Sequence, residues 1–276
     1  VTISLNTFMS LHKHVAGAFA KSTRKIALHS VQKLNQPQSL LIIPDGNARW
    51  AKANNKQTVE GHMSGSHALG TLLEQFLHLD TKVVGVWGFS EDNWKRPKGE
   101  IDGIFHVIHD AVITNLPKFH KNKVKFLVLG KRDQMKKEFP YVVKAIEKAE
   151  RETARYTKKC LALFLDYGER YQLEEFAKAR AKNHKGTTYE LLVKINRGLP
   201  LFEMVVRTSG EQRLSGFGPL ASLAEFVVIN KNLPEVGYRD IVGALREFSS
   251  RKRRFGGRPD TKQLNSSSVF SLATTS

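Results

Sequence analysis

The stretch Leu40-Leu41-Ile42-Ile43-Pro44-Asp45-Gly46-Asn47-Ala48-Arg49-Trp50 decides the fold of this chain. Its first four residues form a short, wholly apolar run, as in a strand that is buried on both faces. The run ends at Asp45-Gly46, and a helix is expected to open there. A strand that turns into a helix in this way can direct backbone N–H groups at an anion, and Gly46 allows close approach. An ordinary capped turn is the alternative that this stretch alone leaves open.

The polar half of the same stretch combines one carboxylate with several hydrogen-bond donors. Asn47 and Arg49 can donate to phosphate oxygens, whereas the Asp45 carboxylate repels a bare phosphate. A carboxylate in a phosphate site therefore indicates a bridging cation, and Mg²⁺ suits a carboxylate together with diphosphate oxygens. The stretch thus predicts a phosphorylated substrate that is handled with Mg²⁺.

Five further β-rich runs follow this first strand, at 83–89, 124–129, 161–165, 202–206 and 226–229. Helical patterns lie between them, at 64–79, 100–120, 133–156 and 171–183. Nearly all-apolar strands that alternate with helices predict a mostly parallel sheet covered on both faces. We therefore expect an α/β fold: a single domain with a six-stranded, mostly parallel sheet flanked by helices.

Polar clusters follow three of the predicted strands. They occupy 45–49 after the first strand, 90–96 after the second and 207–215 after the fifth. Ligands of open α/β sheets bind beyond the carboxyl ends of the strands. The clusters are therefore expected to converge on one site.

The groups in these clusters suit anions and proton transfer. The 207–215 cluster has two arginines six residues apart, Arg207 and Arg213, which suit a doubly charged phosphate group; a surface ion-pair loop with Glu211 is the alternative. The 90–96 cluster carries a hydroxyl, two acids, an amide and two cations, and a solvated loop is its alternative. Near a predicted helix start, His62 could donate to a phosphate or relay a proton, unless it is a capping or packing histidine.

Composition limits the class of protein. The chain has 276 residues, 41% of them hydrophobic, which is enough for one sizeable core. The formal net charge of +18 favours a partner that bears phosphates: a diphosphate, an anionic membrane or a nucleic acid. The single cysteine, Cys160, excludes an internal disulfide and a cysteine-rich zinc site, and we expect it to be a buried structural thiol.

Both ends of the chain are basic. Residues 1–36 hold five basic residues and no acidic one, and their apolar residues recur near one helical face. We expect an amphipathic helix that docks on the body; a membrane-surface helix and an organellar transit peptide are the alternatives that stay open.

The main domain is expected to span 37–258, and the polar segment 259–276 is expected to be a disordered tail. No segment approaches the roughly 20 apolar residues that span a bilayer. The expected location is cytoplasmic, with membrane association and organellar import left open.

Several motifs are absent from the sequence. Gly-x-x-x-x-Gly-Lys-Ser/Thr, Gly-x-Gly-x-x-Gly after a strand and Gly-x-Ser-x-Gly do not occur. Their absence argues against a nucleoside-triphosphate loop and a dinucleotide fold. Asp-Asp-x-x-Asp is also absent, which excludes helical trans-prenyltransferase chemistry. A nucleic-acid-binding protein would interleave aromatic and basic residues on one face, whereas the clusters here follow strands, so no nucleic-acid partner is expected.

Seven motifs occur in register between about Leu40 and Gly257. They are Asp-Gly-Asn-x-Arg-Trp at 45–50, Gly-His-x-x-Gly at 61–65, Phe-Ser-x-x-Asn-Trp-x-Arg-Pro at 89–97, Tyr-Gly-x-Arg at 167–170, Arg-Thr-x-Gly-Glu-x-Arg-Leu-Ser at 207–215, Ala-Glu-Phe at 224–226 and Arg-Arg-Phe-Gly-Gly at 253–257. Together they resemble the cis-prenyltransferase family, whose best-known member is undecaprenyl diphosphate synthase. The resemblance implies a Mg²⁺-dependent transferase that condenses isopentenyl diphosphate with an allylic diphosphate, such as farnesyl diphosphate, to give a Z-polyprenyl diphosphate.

The resemblance also implies roles for individual residues. It assigns Mg²⁺ to Asp45 and Glu225, and catalytic roles to Asp45 and Asn93. It assigns the allylic diphosphate to residues of the first two motifs: Gly46, Asn47, Ala48, Arg49, Trp50 and His62. It counts Ser90, Asp92 and Arg96 among the substrate-binding residues, and it places Ser90 and Asn93 near the reacting carbon and its departing proton. It assigns isopentenyl diphosphate to Arg207, Arg213 and Ser215. Arg254 and Gly256 match an element that reaches the partner subunit's site, which implies a homodimer.

A growing hydrocarbon needs an apolar tunnel. The apolar face of the helix predicted over 101–116 is expected to wall it, and Gly88 is too small to plug it.

The chain departs from the family pattern at three places: one is Glu169, where glycine is common, and the other two bear on the proposed ligands. Thr58 stands where the family usually has an arginine, with Glu60 nearby, and the segment 217–223 looks one residue shorter than its counterpart, which affects the placement of Glu225. A short-chain or irregular coupling enzyme therefore stays open. A non-catalytic subunit of a heteromeric synthase is disfavoured because a scaffold has no need of the retained polar residues.

Overall fold

A six-stranded sheet forms the centre of the computed structural model, which describes residues 31–182 and 185–254. The strands are β1 Ser39–Ile43, β2 Val83–Ser90, β3 Val124–Leu129, β4 Lys159–Tyr167, β5 Met204–Arg207 and β6 Glu225–Val228. They lie in the order β3-β4-β2-β1-β5-β6, and all neighbouring pairs are parallel. All six predicted runs overlap these strands, so the expected α/β class is confirmed.

Helices cover both faces of this sheet. Among the described residues they are α1 Asn47–Ala53, α2 Thr58–Phe76, α3 Lys98–Asn122, α4 Asp133–Glu138, α5 Pro140–Thr153, α6 Glu169–Ala181, α7 Thr188–Ile195 and α8 Tyr238–Ser250. Residues of β1 alternate between two core clusters: Leu41 and Ile43 pack with Leu192 of α7, whereas Leu40 and Ile42 pack with Leu72 of α2. This alternation buries the central strand on both sides, as its wholly apolar sequence predicts.

The helix boundaries differ from the sequence prediction in one instructive place. The predicted helix at 133–156 is two helices, α4 and α5, which meet at Phe139. Pro140 is the first residue of α5, a position where its missing N–H costs nothing. The conformation of Phe139, with φ of −132°, breaks the preceding helix, as expected for a residue that precedes proline.

Two helices were not predicted. For α8 the signal was present, because Ile241, Leu245 and Phe248 recur at helical spacing and are buried against the sheet. The other, α7, opens with a capping box in which the Thr187 side chain accepts from the Glu190 backbone N–H.

The start of the described chain is attached to the body. Val31 is fully buried in the cluster that contains Leu40 and Phe76. Gln36 accepts from the Asp80 backbone N–H through Oε1 at 2.9 Å and donates to the Val31 carbonyl at 3.1 Å. The helix expected within 1–36 falls mostly, and the tail 259–276 entirely, outside the described residues. None of the helices within 31–182 and 185–254 combines the length and apolarity needed to cross a bilayer.

Candidate active site

The carboxyl ends of β1 and β5 carry the centre of the site. The two strands pair in register, with Ile43 opposite Arg207. Just beyond, the Asp45 backbone N–H donates to Thr208 Oγ1 at 2.7 Å, and this hydroxyl donates to the Asp45 carbonyl at 2.7 Å. The double link fixes the 45–49 cluster against the 207–215 cluster, so two of the three clusters expected to converge meet here.

The Asp45 carboxylate lies between two arginines. Arg49 Nη2 donates to Oδ1 and Arg207 Nη2 to Oδ2, both at 2.9 Å, and the Gly46 backbone N–H also donates to Oδ1. Burial raises the pKa of the Asp45 carboxyl, but hydrogen bonds from Arg207 and Arg49 lower it by more, and the pKa lies below its usual value. The group is therefore ionised near neutral pH.

Gly46 is required by its backbone and by its surroundings. Its φ is +94°, in the left-handed region that side chains disfavour. A Cβ at this position would come within 2.6 Å of Ser209 Oγ and would also collide with Asn232 Oδ1. Glycine thus lets the turn after β1 approach the loops after β5 and β6.

Glu211 extends the charge network across the site. Its carboxylate pairs with Arg49 at 2.9 Å and also with Arg213. Arg207, only 5% exposed, donates to the Arg213 carbonyl and, at 2.8 Å, to Ser215 Oγ. The structure thus brings together the three residues assigned to isopentenyl diphosphate. The sequence analysis named Glu211 only as the partner in an alternative ion-pair loop; its pair with Arg213 agrees with that alternative, whereas its pair with Arg49 of α1 was not predicted.

A second chain of polar contacts joins α1, α2 and α3. Asn47 Nδ2 lies 3.3 Å from His62 Nδ1, and His62 Nε2 lies 3.1 Å from Glu100 Oε1, which also accepts from Arg96 Nη1 at 2.9 Å. Burial lowers the pKa of the His62 imidazole, although Glu100 opposes this shift. Glu100 was missed as a site residue because its sequence context shows only the start of a helix.

Asn47 also presents an acceptor to the interior. Its Oδ1 is buried and has no hydrogen-bond partner within the described residues. A Cβ at Gly65 would collide with this oxygen, so the glycine of the Gly-His-x-x-Gly motif leaves room for the Asn47 side chain.

The loop after β2 holds Asn93 in a single-turn 3₁₀ helix, Glu91–Lys95. The Ser90 backbone N–H donates to Asn93 Oδ1 at 3.0 Å. Asp92 pairs instead with Lys95 and with Arg170, at 2.8 and 3.1 Å, and is largely exposed. The loop is anchored by Trp94, whose ring stacks on Phe105.

The other residues that the family resemblance assigns to the site lie farther from Asp45 or are less buried. On α1, Ala48 is exposed and Trp50 is half-buried. Glu225 begins β6, opposite Met204, and pairs with Arg251 at 2.9 Å. It lies three strand residues, about 10 Å, from the level of Arg207, so one protomer does not bring it to Asp45. Arg254 is exposed, and Gly256 lies outside the described residues.

The donor chemistry of the site is compatible with Mg²⁺, although within the described ranges no group of three or more His, Cys, Asp or Glu side chains could hold a metal ion. Magnesium sites in phosphate enzymes commonly use one or two carboxylates, substrate phosphates and water. The ionised, half-buried Asp45 fits such a site.

An apolar cavity of about 210 Å³ adjoins the polar site. Its lining runs from Asn47 and His62 at one end to Lys82, Lys118 and Lys159 at the other. Between these ends it is lined by residues of α2, α3, β2 and β4, among them Leu69, Leu73, Gly88, Ile104, Ile108, Leu161 and Leu163. The helix predicted to wall a tunnel therefore lines this cavity.

Anion-binding side chains at the carboxyl ends of a parallel sheet, beside an apolar cavity, define a class of enzyme whose substrates are both phosphorylated and hydrophobic.

Comparison with known proteins identifies the family. A family model described as "Putative undecaprenyl diphosphate synthase" matches residues 43–256. An isoprenyl transferase of Aquifex pyrophilus is 31% identical over 228 residues, which cover 81% of this chain and 97% of the relative. One of Streptococcus mutans serotype c is 32% identical over 235 residues, 80% of this chain and 93% of the relative.

Solved structures agree. A structure described as "a probable undecaprenyl diphosphate synthase" from Campylobacter jejuni has a TM-score of 0.67 at 26% identity, covering 81% of this chain and 100% of the other. A lavandulyl diphosphate synthase from Lavandula x intermedia has a TM-score of 0.73 at 24% identity, covering 80% and 98%, and supports the fold. The chain belongs to the undecaprenyl diphosphate synthase family. It is a cis-prenyltransferase, an enzyme of the isoprenyl diphosphate synthase type, and its substrates are isoprenoid diphosphates.

Proposed function

We propose that the enzyme condenses isopentenyl diphosphate with an allylic diphosphate such as farnesyl diphosphate and releases a Z-polyprenyl diphosphate. The observation that carries this proposal is the ionised Asp45 between Arg49 and Arg207 at one end of an apolar cavity. The arginines suit two diphosphates, and the cavity suits the hydrocarbon of the allylic substrate.

The allylic diphosphate is proposed to bind beside Asp45, at the starts of α1 and α2. Asn47, Arg49 and His62 supply donors to its oxygens, and Gly46 allows the backbone to approach. When its C–O bond breaks, the leaving diphosphate gains charge, which these fixed donors stabilise. Asp45 would hold Mg²⁺, which when bound would neutralise further charge on the diphosphate.

Isopentenyl diphosphate is proposed to bind on the other side of Asp45. Arg207, Arg213 and Ser215 hold its diphosphate and thereby keep its alkene near the allylic carbon. The alkene carbon forms the new C–C bond as the allylic C–O bond breaks, and the resulting cation loses a proton. Asn93 and Ser90 lie on the loop proposed to face this proton.

Each arginine in these two sites already has a protein carboxylate beside it. Glu211 pairs with Arg49 and Arg213, and Asp45 pairs with Arg49 and Arg207. We expect the oxygens of the bound diphosphates to replace these carboxylates as partners of the arginines. Each arginine then has an anionic partner both before and after substrate binding.

A homodimer is proposed to complete the site. Because Glu225 is remote from Asp45 in one protomer, we propose that it acts, with Arg254 and Gly256, across the dimer interface. Inactive Asp45→Ala and Glu225→Ala proteins, mixed and allowed to exchange subunits, should then regain activity, because one site of the mixed dimer carries both native residues. A mixture that stays inactive although light scattering shows mixed dimers would contradict this arrangement.

A cytoplasmic location with peripheral membrane contact through residues 1–36 is also proposed. The five basic residues of this segment suit anionic lipids. Co-sedimentation with anionic and neutral liposomes, for the full chain and for a chain without residues 1–30, tests the contact; equal sedimentation of the two chains would exclude it.

Product analysis tests the main proposal. Purified protein is incubated with Mg²⁺, isopentenyl diphosphate and, separately, dimethylallyl, geranyl, farnesyl and geranylgeranyl diphosphate, and products are measured by mass spectrometry. We expect products that extend the primer by isoprene units, and none in a matched reaction with excess chelator. Absence of product with every primer would contradict the proposal.

Thr58 favours one second candidate, a short-chain or irregular coupling enzyme. It opens α2 where the family resemblance implies an arginine, which removes one cation from the allylic side. Incubation with dimethylallyl diphosphate alone separates the two: a branched product formed without isopentenyl diphosphate would identify irregular coupling.

A further inference from the structure

Glu91 is a largely buried acid of the loop after β2, and the proposed mechanism gives it no role. It is the first residue of the 3₁₀ helix that holds Asn93, and its side chain is only 10% exposed. Lys131 Nζ donates to Glu91 Oε1 at 2.9 Å, and the Tyr171 backbone N–H donates to Oε2 at 3.3 Å. Arg170 Nε lies 3.9 Å from the same Oε2. A desolvated carboxylate needs such partners, and those of Glu91 all come from outside its own loop.

These partners lie at the carboxyl ends of β3 and β4. The Lys131 backbone N–H donates to the Asp166 carbonyl at 3.0 Å, which ties the turn after β3 to the end of β4. Tyr171 lies in the first turn of α6, directly after β4. A Cβ at Gly168 would come within 2.7 Å of Glu91 Oε2. The glycine of the Tyr-Gly-x-Arg motif therefore leaves room for the Glu91 carboxylate.

The start of α6 also contacts the loop that carries Ser215. The Glu169 backbone N–H donates to the Gly216 carbonyl at 2.8 Å. Gly216 directly follows Ser215, whose Oγ accepts from Arg207 in the site proposed for isopentenyl diphosphate. The first residues of α6 thus lie between the 90–96 cluster and the 207–215 cluster, and Glu91 links them to the former.

We propose that Glu91 is a positioning residue that holds Asn93 in a fixed place relative to bound isopentenyl diphosphate. This inference rests on the proposed function, in which Asn93 lies on the loop that faces the departing proton. Trp94 stacks on Phe105 and anchors the loop independently, so loss of the Glu91 contacts shifts the loop rather than detaching it. A shift of about 1 Å near the reacting atoms can cost about 100-fold in rate. The arginines proposed to hold the diphosphates are not partners of Glu91, so substrate binding is retained.

Steady-state kinetics of Glu91→Gln tests the proposal. Glutamine keeps an acceptor for the Tyr171 N–H but removes the charge that holds Lys131. We expect kcat to fall about 10- to 100-fold, with KM for both substrates within about twofold of the wild-type values. The kcat is expressed per site that binds isopentenyl diphosphate in a calorimetric titration, so that loss of folded protein does not count. Lys131→Gln removes the same ion pair from its more exposed side and provides the test if Glu91→Gln does not fold.

An Asn93→Ala background shows whether Glu91 acts through Asn93. We expect Glu91→Gln to lower kcat no further in that background, because the side chain that it positions is already absent. Glu174→Gln is the matched control: Glu174 pairs with the same Lys131 at 3.5 Å but lies on α6 and is 53% exposed. This variant should keep the wild-type kcat.

Wild-type kcat per site in Glu91→Gln and Lys131→Gln would overturn the inference. An equal loss in Glu174→Gln, or an undiminished further loss in the Asn93→Ala background, would also overturn it. A wild-type enzyme that makes no product with any primer would instead overturn the proposed function on which the inference rests.

Discussion

Arg207 donates to Asp45 across 2.9 Å, although the two residues are 162 positions apart in the chain. This bond joins the carboxyl ends of β5 and β1 at the point where the two proposed diphosphate sites meet. An arginine assigned to one substrate thus contacts the carboxylate assigned to the metal of the other. The contact fixes the two clusters relative to each other.

Removing the Asp45 charge should abolish most of the activity. In Asp45→Asn the side chain keeps its shape, but Arg207 loses its carboxylate partner, Arg49 keeps only Glu211, and the proposed Mg²⁺ ligand is removed. We expect kcat/KM to fall about 100-fold or more, measured as isopentenyl diphosphate incorporation. Asp110→Asn, at an exposed carboxylate of α3, should keep wild-type activity. Full activity in Asp45→Asn would refute the assigned role.

Gly46→Ala should destabilise the protein. The left-handed φ and the approach of Ser209 and Asn232 both oppose a Cβ there, and we expect the free energy of unfolding to fall by about 1–3 kcal/mol. Gly243→Ala is the control: Gly243 lies inside α8, where a Cβ would meet no other atom within 4 Å, and alanine should raise stability by about 0.5–1 kcal/mol. Urea unfolding measures both; equal effects would contradict the account of Gly46.

Gly65→Ala should weaken allylic substrate binding. Its methyl group would displace the Asn47 side chain, whose Oδ1 occupies that space. If one hydrogen bond to the diphosphate is lost, KM for the allylic substrate should rise about tenfold, with a smaller change for isopentenyl diphosphate. Gly243→Ala, at a position on α8 where a Cβ would meet no atom within 4 Å and which does not line the cavity, should leave both KM values unchanged. Equal KM values in the Gly65 and Gly243 variants would argue against this role of Gly65.

His62 should make stability depend on pH. Burial lowers the pKa of its imidazole below 6.5 in the folded protein, so the unfolded chain binds this proton more readily. The contribution is present above about pH 6.5 and is lost as pH falls toward the folded pKa.

We therefore expect the free energy of unfolding to drop less in His62→Gln than in the wild type between neutral pH and about pH 5. Denaturant titrations at a series of pH values measure this difference, and His106→Gln, at a largely exposed histidine, is the control. The same slope in His62→Gln and the wild type would show that His62 is not the source.

Much of the architecture is determined by the sequence. Each strand is a short apolar run, because a strand buried on both faces has no polar side, and such runs are local signals. The polar clusters after the first, second and fifth runs had to meet, because parallel strands place their carboxyl ends at one edge of the sheet. The family motifs lie in these same clusters, which is why Asp45, Arg49, Arg207 and Ser215 could be named before their contacts were known.

The tertiary structure alone decided which groups face each other. The strand pairing places Glu225 at the opposite end of the sheet from Asp45, a fact that motif spacing does not contain. Glu211 and Glu100 are site residues because of their partners on other elements. Lys159 lines the cavity, and its ammonium group donates to backbone carbonyls 78 to 83 positions earlier in the chain. Periodicity along the chain determines which residues are buried, whereas strand order, register and helix packing determine what each buried group meets.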